Sequence, residues 1–266
     1  MPWAQVHWRS DVLDKQTTMQ VILPSVGRPP YATFYLLHGL SDDSTIWLRR
    51  SRIEVYVRER PLIVVMPDGY RGFYTDNEQG PAYARHFGEE IPDFVERNFP
   101  ARPTRGARAI GGLSMGGYGA LRLALGYPDK FCSVNSHSGA LLRLSLVGRT
   151  AARDAVLKDR PAEFIDELRR IFGRSPIGSR HDLLALIRRA RRHHQRLPRI
   201  LLDCGTEDSL LGYNRRFHQE LQGLQVPHVY REFPGEHDWD YWDLHVREAL
   251  EFHARNLRLP PVNDNG

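Results

Sequence analysis

Apolar segments rich in β-branched residues recur along the chain, and amphipathic helical stretches separate several of them. The strand-like segments cover residues 18–23, 33–37, 62–66, 107–110, 131–135, 200–204 and 228–233. Helical patterns cover residues 53–58, 87–98, 115–125, 213–221 and 239–256. Strands that alternate with helices are typical of an α/β protein, so the pattern predicts a mostly parallel central sheet with helices on both faces.

The start of the chain departs from this alternation. Residues 5–8 and 18–23 both have the pattern of strands, and only a short polar segment lies between them. We therefore expect an antiparallel hairpin at the edge of the sheet.

Residues 141–198 also break the alternation, because no good strand pattern occurs there and arginine is dense. Two helical patterns lie within the segment, at residues 162–172 and 182–193. The second places four aliphatic residues on one side and four arginines on the other. We favour a small helical cap over the C-terminal edge of the sheet, and ordinary crossover helices are the alternative. The expected organisation is one domain, residues 1–266, with a cap at about 141–198.

Composition bounds the class of protein. The length of 266 residues and a hydrophobic content of 41% suffice for a sizeable core. No stretch approaches the roughly 18 consecutive apolar residues of a membrane span, and the first residues lack the pattern of a signal peptide. We expect a cytoplasmic protein with no membrane partner.

The cysteines agree with that compartment. Cys132 and Cys204 both lie in apolar strand-like segments, which favours buried thiols in a reducing environment, with a single disulfide as the alternative. No Cys and His cluster has the spacing of a zinc site, so no metal and no cofactor is expected.

A net charge of +5 raises the question of an anionic partner. Of the 37 basic residues, however, only Lys15, Lys130 and Lys158 are lysines, and 32 acidic residues are interspersed with the arginines. This bias is typical of genome composition, and we expect no nucleic-acid partner.

The strongest chemical signal lies at residues 112–116, which read Gly-Leu-Ser-Met-Gly between a strand pattern and a helical pattern. A serine on a strained strand-to-helix turn projects its hydroxyl clear of the backbone. A Cβ two residues before or after it would clash in so tight a turn. The following helix directs backbone N–H groups at the point where an oxyanion would form. The motif predicts Ser114 as a nucleophile. The alternative is a glycine-rich turn that merely contains serine.

A serine nucleophile requires a base and an acid that orients the base. After a serine motif of this kind, the acid and then the histidine follow along the chain, in loops after strands. Asp208 follows the strand pattern at 200–204 and is the preferred acid, with a helix N-cap as its alternative role. Asp203 lies within that strand and is expected to be structural, and Glu207 is expected to point away.

The preferred base is His237, in a glycine-containing loop after the last strand pattern and before the final helix. His228 begins that strand, at the wrong end, and His245 lies within the helix. His193 and His194 fall in the arginine-rich helix and are expected to face solvent. An ordinary surface histidine is the alternative for His237.

The oxyanion hole requires two backbone donors. The N–H of Met115, directly after the nucleophile, is one candidate, and the N–H of Leu40, in the loop after the strand pattern at 33–37, is the second. His38 is expected to brace that loop. The candidate pocket residues, each with core packing as its alternative, are Trp47, Tyr118, Leu210 and Trp239.

Together these residues resemble the putative esterase (esterase D-like) family of α/β-hydrolases, in particular its small bacterial tributyrin esterases, S-formylglutathione hydrolases and feruloyl esterases. The likeness covers about residues 15–255 and is weakest at 141–198. It is carried by Tyr35-Leu36-Leu37-His38-Gly39, Met66-Pro67-Asp68-Gly69, Gly72-Phe73-Tyr74-Thr75-Asp76, Gly111-Gly112-Leu113-Ser114-Met115-Gly116-Gly117-Tyr118-Gly119-Ala120, Cys204-Gly205-Thr206-Glu207-Asp208 and Glu236-His237-Asp238-Trp239.

The resemblance implies an α/β-hydrolase fold, the triad Ser114, Asp208 and His237, and a small-molecule ester as substrate. The expected activity is hydrolysis of short-chain or aryl esters through an acyl-enzyme. A thioester hydrolase acting on S-formylglutathione, or a feruloyl esterase, is the nearer alternative, and an acyltransferase is the more remote one. A homo-oligomer is a further expectation from the resemblance.

Overall fold

The central element is one mixed sheet of eight strands, seen in a computed structural model that describes residues 1–141 and 160–261. The strand order is β1-β2-β4-β3-β5-β6-β7-β8. The strands are β1 (Trp3–Ser10), β2 (Lys15–Ile22), β3 (Ala32–Leu37), β4 (Leu62–Pro67), β5 (Arg108–Leu113), β6 (Ser133–His137), β7 (Arg199–Gly205) and β8 (Val229–Phe233).

Strands β3 to β8 run parallel to one another, whereas β1 and β2 form an antiparallel hairpin at one edge. Strand β2 joins the rest of the sheet antiparallel to β4. The predicted parallel sheet and the predicted edge hairpin are both confirmed. Strands β3, β4 and β5 are buried along their whole length because helices cover both faces, which explains their continuous apolar runs.

Helices lie on both faces of the sheet, as the alternation predicted. One face is covered by α1, α2 and α9, and the other by α3 to α5, α7 and α8. The helices are α1 (Ile46–Arg50), α2 (Ile53–Tyr56), α3 (Tyr83–Arg85), α4 (Ile91–Asn98), α5 (Met115–Gly126), α6 (Ala162–Phe172), α7 (Leu183–Arg192), α8 (Leu211–Gly223) and α9 (Trp239–Leu257). A π-helical turn (His86–Glu90) joins α3 to α4.

The segment at 141–198 contributes two described helices. Helix α7 packs on α5 and lies between β6 and β7 as a crossover helix does. The end of α6 lies against the loop after β4, where the N–H groups of Glu78 and Gln79 donate to the carbonyls of Ile171 and Arg170 at 3.0 and 2.9 Å. Residues 142–159 of the predicted cap lie outside the described residues, so the cap stays a prediction.

Two further observations bear on the class of protein. Among residues 1–141 and 160–261, none of the helices combines the length and apolar character that a membrane span requires. Cys204 is buried in β7, and Cys132 is half-buried just before β6; both are free thiols.

Candidate active site

Ser114 occupies a strained turn between the end of β5 and the start of α5. Its backbone lies at φ 51° and ψ −114°, in a region that residues with a side chain rarely adopt. The turn is held by its own hydrogen bonds, since the Ser114 N–H donates to the carbonyl of His137 at 2.9 Å and its carbonyl accepts from Tyr118 and Ala140. The predicted strained turn is confirmed, and it directs the hydroxyl out of the sheet.

The two flanking glycines of the motif are needed for space. A Cβ on Gly112 would lie 2.6 Å from the carbonyl oxygen of Leu37, and one on Gly116 would lie 2.6 Å from that of His38. Neither distance is tolerable against backbone atoms, so the steric reason expected from the motif is confirmed.

The structure brings the three candidate triad residues into one chain of hydrogen bonds. The Ser114 Oγ lies 3.0 Å from His237 Nε2, and His237 Nδ1 lies 2.8 Å from Asp208 Oδ2. With Nδ1–H donating to the carboxylate, the Nε2 lone pair faces the serine hydroxyl. In this arrangement His237 can accept a proton from Ser114 without any change of tautomer.

The Asp208 side chain is fully buried, and burial alone would raise the pKa of its carboxyl group. The hydrogen bond and charge of His237, together with the N–H of Leu210 at 2.7 Å from Oδ1, outweigh burial and hold that pKa below its ordinary value. Asp208 is thus a carboxylate at neutral pH and can orient His237.

The imidazole of His237 is about 30% exposed and packs edge-on against the ring of Trp242, with centroids 4.9 Å apart. The loop that carries His237 ends at Asp238, whose carboxylate accepts from the N–H of Tyr241 at 3.0 Å and caps α9. Sequence reasoning missed Trp242. Its position one helical turn after Trp239 in the final helix was the available signal.

The candidate oxyanion donors lie beside the serine. Met115 is the first residue of α5, where an N–H group has no acceptor within the helix. The loop that contains Leu40 passes close by, because a Cβ on Gly39 would lie 3.9 Å from the Cβ of Ser114. Within the described ranges, the N–H of Leu40 has no protein acceptor.

His38 braces that loop, as expected from the sequence. Its Nδ1 donates to the carbonyl of Gly39 at 2.7 Å, and its Nε2 accepts from the N–H of Gly69 at 2.7 Å. His38 Nε2 also lies 3.6 Å from Asp68 Oδ1, but an imidazole that accepts at Nε2 carries no charge, so this contact is not an ion pair. The Tyr74 hydroxyl donates to the His38 carbonyl at 3.0 Å and adds a second tie to the loop after β4.

The rejected acid candidates have other partners. Asp203 is buried and accepts from His137 Nδ1 at 2.8 Å and from the Tyr241 hydroxyl at 3.1 Å. Glu207 is exposed and accepts from the N–H of Gly235 at 2.6 Å. The expectations of a structural Asp203 and of an outward Glu207 are both confirmed.

The other histidines lie away from the serine hydroxyl. His245 stacks on Phe233 in α9, and His228 hydrogen-bonds His218 at 2.7 Å. His193 and His194 are exposed, as expected.

The four candidate pocket residues differ in their surroundings. Trp47 is buried and donates to the carbonyl of Leu37 at 3.1 Å, and Tyr118 is buried with its hydroxyl bonded to the carbonyl of His181 at 2.8 Å. These contacts favour core packing for both. Leu210 is buried next to Asp208, and Trp239 is half-buried between Trp47 and Trp242. A pocket role for these residues stays a prediction.

Metal chemistry has no evident site in the part of the chain that the structure describes, where no three His, Cys, Asp or Glu side chains are grouped to hold an ion.

Comparison with known proteins connects this geometry to a family. The family model described as "Putative esterase" matches residues 10–253. An acetyl esterase of Caldicellulosiruptor saccharolyticus is 34% identical, and the match covers 94% of this chain and 97% of that protein.

Two solved structures from Staphylococcus aureus are similar over nearly the whole chain. FphF, a fluorophosphonate-binding serine hydrolase, is 29% identical with a TM-score of 0.83. The S-formylglutathione hydrolase FrmB is also 29% identical, with a TM-score of 0.81. Each match covers 95% of this chain and 98% of the other. The predicted α/β-hydrolase fold and the predicted family resemblance are confirmed.

Proposed function

This chain belongs to the Putative esterase family, and we propose that it hydrolyses carboxylic esters of short-chain or aryl acids through an acyl-enzyme on Ser114. The observation that carries the proposal is the hydrogen-bonded chain from Ser114 through His237 to Asp208, at 3.0 and 2.8 Å, on a turn that presents the serine hydroxyl. A serine with a base in reach and an acid behind the base is the arrangement of an activated nucleophile.

The first step is attack of the Ser114 oxygen on the ester carbonyl while its proton passes to His237 Nε2. Asp208 keeps the Nδ1–H tautomer in place and stabilises the imidazolium that forms. The lowered pKa of Asp208 supports this role, since its carboxyl group is then charged at neutral pH.

The tetrahedral intermediate carries a negative oxygen that the N–H groups of Leu40 and Met115 stabilise in our proposal. The proposal is supported by the position of Met115 at the start of α5 and by the N–H of Leu40, which has no acceptor among the described residues. In comparable sites the loss of one such donor costs about 3 kcal/mol of transition-state stabilisation.

Collapse of the intermediate breaks the bond to the leaving alcohol, which takes the proton from His237. Water then donates its proton to His237, attacks the acyl-enzyme, and releases the carboxylic acid as Ser114 recovers its proton. The net reaction consumes one water and returns the triad to its starting protonation.

The preference for a short acyl group draws support from the acetyl esterase relative and from the half-buried Trp239, which packs on Trp242, the ring that contacts His237. An aromatic wall suits a small acyl or aryl group. Residues 141–198, where the family resemblance is weakest, are expected to decide how long an acyl chain fits, and residues 142–159 of this segment lie outside the described part of the chain.

The test is a panel of p-nitrophenyl esters from acetate to palmitate, with methyl ferulate, on the wild type and on Ser114→Ala. We expect the wild type to be fastest on short esters and the alanine variant to lose activity, with the exposed Ser175→Ala as the matched control. A wild type that turns over no ester, or a Ser114→Ala variant as active as Ser175→Ala, contradicts the proposal.

Hydrolysis of a thioester is a second candidate function, favoured by the likeness to the S-formylglutathione hydrolase of S. aureus. The same triad would attack a thioester carbonyl. A kcat/KM for S-formylglutathione that exceeds the value for p-nitrophenyl acetate selects this candidate. Transfer to a sugar acceptor, the remoter possibility, fails if only free acid is released when the sugar is present.

A further inference from the structure

The guanidinium of Arg71 joins two parts of the molecule that are distant in sequence. Its Nη1 donates to the Ser41 hydroxyl at 2.7 Å. Its Nε and Nη2 form a bidentate salt bridge with the Glu167 carboxylate, at 2.7 and 2.6 Å. Ser41 directly follows Leu40 in the loop after β3, and Glu167 lies in the middle of α6. One side chain therefore connects the loop of the candidate oxyanion donor with the segment at 141–198.

Residues of the loop after β4 hydrogen-bond the loop that contains Leu40, and they do so on both sides of Leu40. On one side, Gly69 and Tyr74 hold His38 through its ring and its carbonyl. On the other side, Arg71 holds Ser41, whose backbone at φ 70° is in a left-handed conformation that serine rarely adopts. A residue in such a conformation requires support from its surroundings, and the Arg71 hydrogen bond provides it.

Helix α6 fixes Arg71 in turn. A carboxylate that accepts two parallel N–H groups restrains the plane of the guanidinium, which leaves its remaining donors in defined directions. The backbone bonds of Glu78 and Gln79 to the end of α6 keep the helix against the same loop. The position of α6 is thus transmitted through Glu167 and Arg71 to Ser41.

We propose that Arg71 is a positioning residue that, held by Glu167 of α6, keeps Ser41 and hence the Leu40 N–H in place for the oxyanion. This inference rests on the proposed function, because it uses the Leu40 N–H as an oxyanion donor. It makes α6 a contributor to the rate of the chemical step, since an oxyanion contact strengthens only as the transition state forms.

A direct contact of Arg71 with substrate is the competing explanation. Arg71 lines a cleft of about 580 Å³, to which Ser41, Asp42 and Glu167 also contribute. A substrate contact made equally in the ground state and the transition state would change KM and leave kcat unchanged. The two explanations therefore differ in which kinetic constant responds.

The chain offers a matched control pair. Arg215 and Glu232 form the same kind of bidentate salt bridge, at 2.8 and 2.7 Å, on the surface of α8 and β8. The side chains are 54% and 24% exposed, compared with 46% and 22% for Arg71 and Glu167. Exposed pairs of this kind add little to stability, so variants of either pair should fold and unfold at similar temperatures.

The experiment measures kcat and KM for p-nitrophenyl acetate in Arg71→Gln, Glu167→Ala and Ser41→Ala, with Arg215→Gln and Glu232→Ala as controls. We expect kcat to fall by about 5- to 20-fold in Arg71→Gln, part of the 100- to 1,000-fold lost with a whole donor, while KM changes less than about two-fold. The controls should keep both constants within about two-fold.

Two further measurements separate positioning from a general structural effect. The double variant of Arg71→Gln and Ser41→Ala should be no slower than the slower single variant, because both changes break the same link. The inhibition constant of a phenylboronic acid, whose tetrahedral adduct places an oxygen in the oxyanion hole, should rise in Arg71→Gln by the factor by which kcat falls.

Unchanged kcat in Arg71→Gln, a rise in KM alone, additive losses in the double variant, or equal losses in the control pair would each overturn the inference. Wild-type activity that Ser114→Ala abolishes leaves the proposed function standing in all those cases. Activity that survives in Ser114→Ala instead removes the proposed function and this inference together.

Discussion

The imidazole of His137 and the carboxylate of Asp203 form a buried pair next to the turn of Ser114, with Nδ1 and Oδ2 2.8 Å apart. The two residues lie opposite each other on β6 and β7. The carbonyl of His137 also accepts the hydrogen bond from the N–H of Ser114. The pair therefore joins β6 to β7, the strand that precedes the candidate acid, while the backbone of His137 holds the turn of the candidate nucleophile.

Removal of this carboxylate should destabilise the fold. In Asp203→Ala, the buried His137 Nδ1–H and Tyr241 hydroxyl both lose their acceptor. Each unsatisfied buried donor costs about 1–3 kcal/mol, so we expect the free energy of unfolding to fall by about 3 kcal/mol in urea denaturation. The control is Glu207→Ala, which removes an exposed carboxylate nearby and should change stability by less than about 1 kcal/mol. Equal losses in the two variants contradict this assignment.

The orienting role proposed for Asp208 predicts a large rate effect with little loss of binding. In Asp208→Asn the side-chain amide can donate to His237 Nδ1, which favours the tautomer with its proton on Nε2. The nitrogen that faces Ser114 is then protonated and cannot act as a base. We expect kcat to fall by about 1,000- to 10,000-fold, as in triads of this kind, with steady-state ester hydrolysis as the measurement. Glu207→Gln should stay within about two-fold of the wild type. A kcat in Asp208→Asn within tenfold of the wild type excludes the role.

The sheet and the hydrogen-bonded arrangement of Ser114, His237 and Asp208 were open to prediction because both follow from short-range patterns. Strands β3, β4 and β5 are covered on both faces, so their buried residues form unbroken apolar runs that stand out in the sequence. Asp208 and His237 each follow a strand of the parallel part of the sheet, and the loops at the ends of such strands meet at one edge.

The contacts around the site were beyond sequence reasoning because loops have no periodicity. Arg71 meets residues 30 positions before it and 96 positions after it, and no local pattern relates such positions. Short elements were also missed, since the five residues of α1 are too few to show a helical repeat. Trp242 follows the helical period, but that period does not indicate contact with a loop histidine.

Gly116, two residues after the candidate nucleophile, should not tolerate a side chain. In Gly116→Ala the new methyl group would meet the carbonyl oxygens of Leu37 and His38, each at 2.6 Å. Backbone atoms cannot move aside without displacing the turn, so we expect a loss of at least tenfold in kcat and about 1–3 kcal/mol in stability. Gly212→Ala is the control, because it adds a methyl group to helix α8 where no atom lies within 4 Å and should stabilise the protein slightly. Both quantities come from ester kinetics and thermal unfolding. Full activity in Gly116→Ala would show that the turn relaxes.

Acid should destabilise the protein partly through His253. Its ring is buried, with Nδ1 2.7 Å from the Ser133 hydroxyl and Nε2 2.8 Å from the Asn135 side-chain oxygen. Burial, and to a lesser degree the charge of His137, lower the pKa of His253 to about 3 from the ordinary value of 6.5. Between these pH values the unfolded chain binds a proton that the folded chain does not.

The direction in which the free energy of unfolding changes with pH follows from that difference in bound protons. The free energy of unfolding rises with pH wherever the unfolded state holds more protons, so this contribution is complete above about pH 6.5 and is lost as the pH falls toward 3. A difference of one bound proton changes the free energy of unfolding by about 1.4 kcal/mol per pH unit. Urea denaturation of the wild type and of His253→Gln from pH 7 to 4.5 should give a shallower slope in the variant, by up to that amount. The exposed His193→Gln serves as control and should keep the wild-type slope. Parallel slopes for the wild type and His253→Gln would mean that His253 takes up its proton in the folded protein as readily as in the unfolded one.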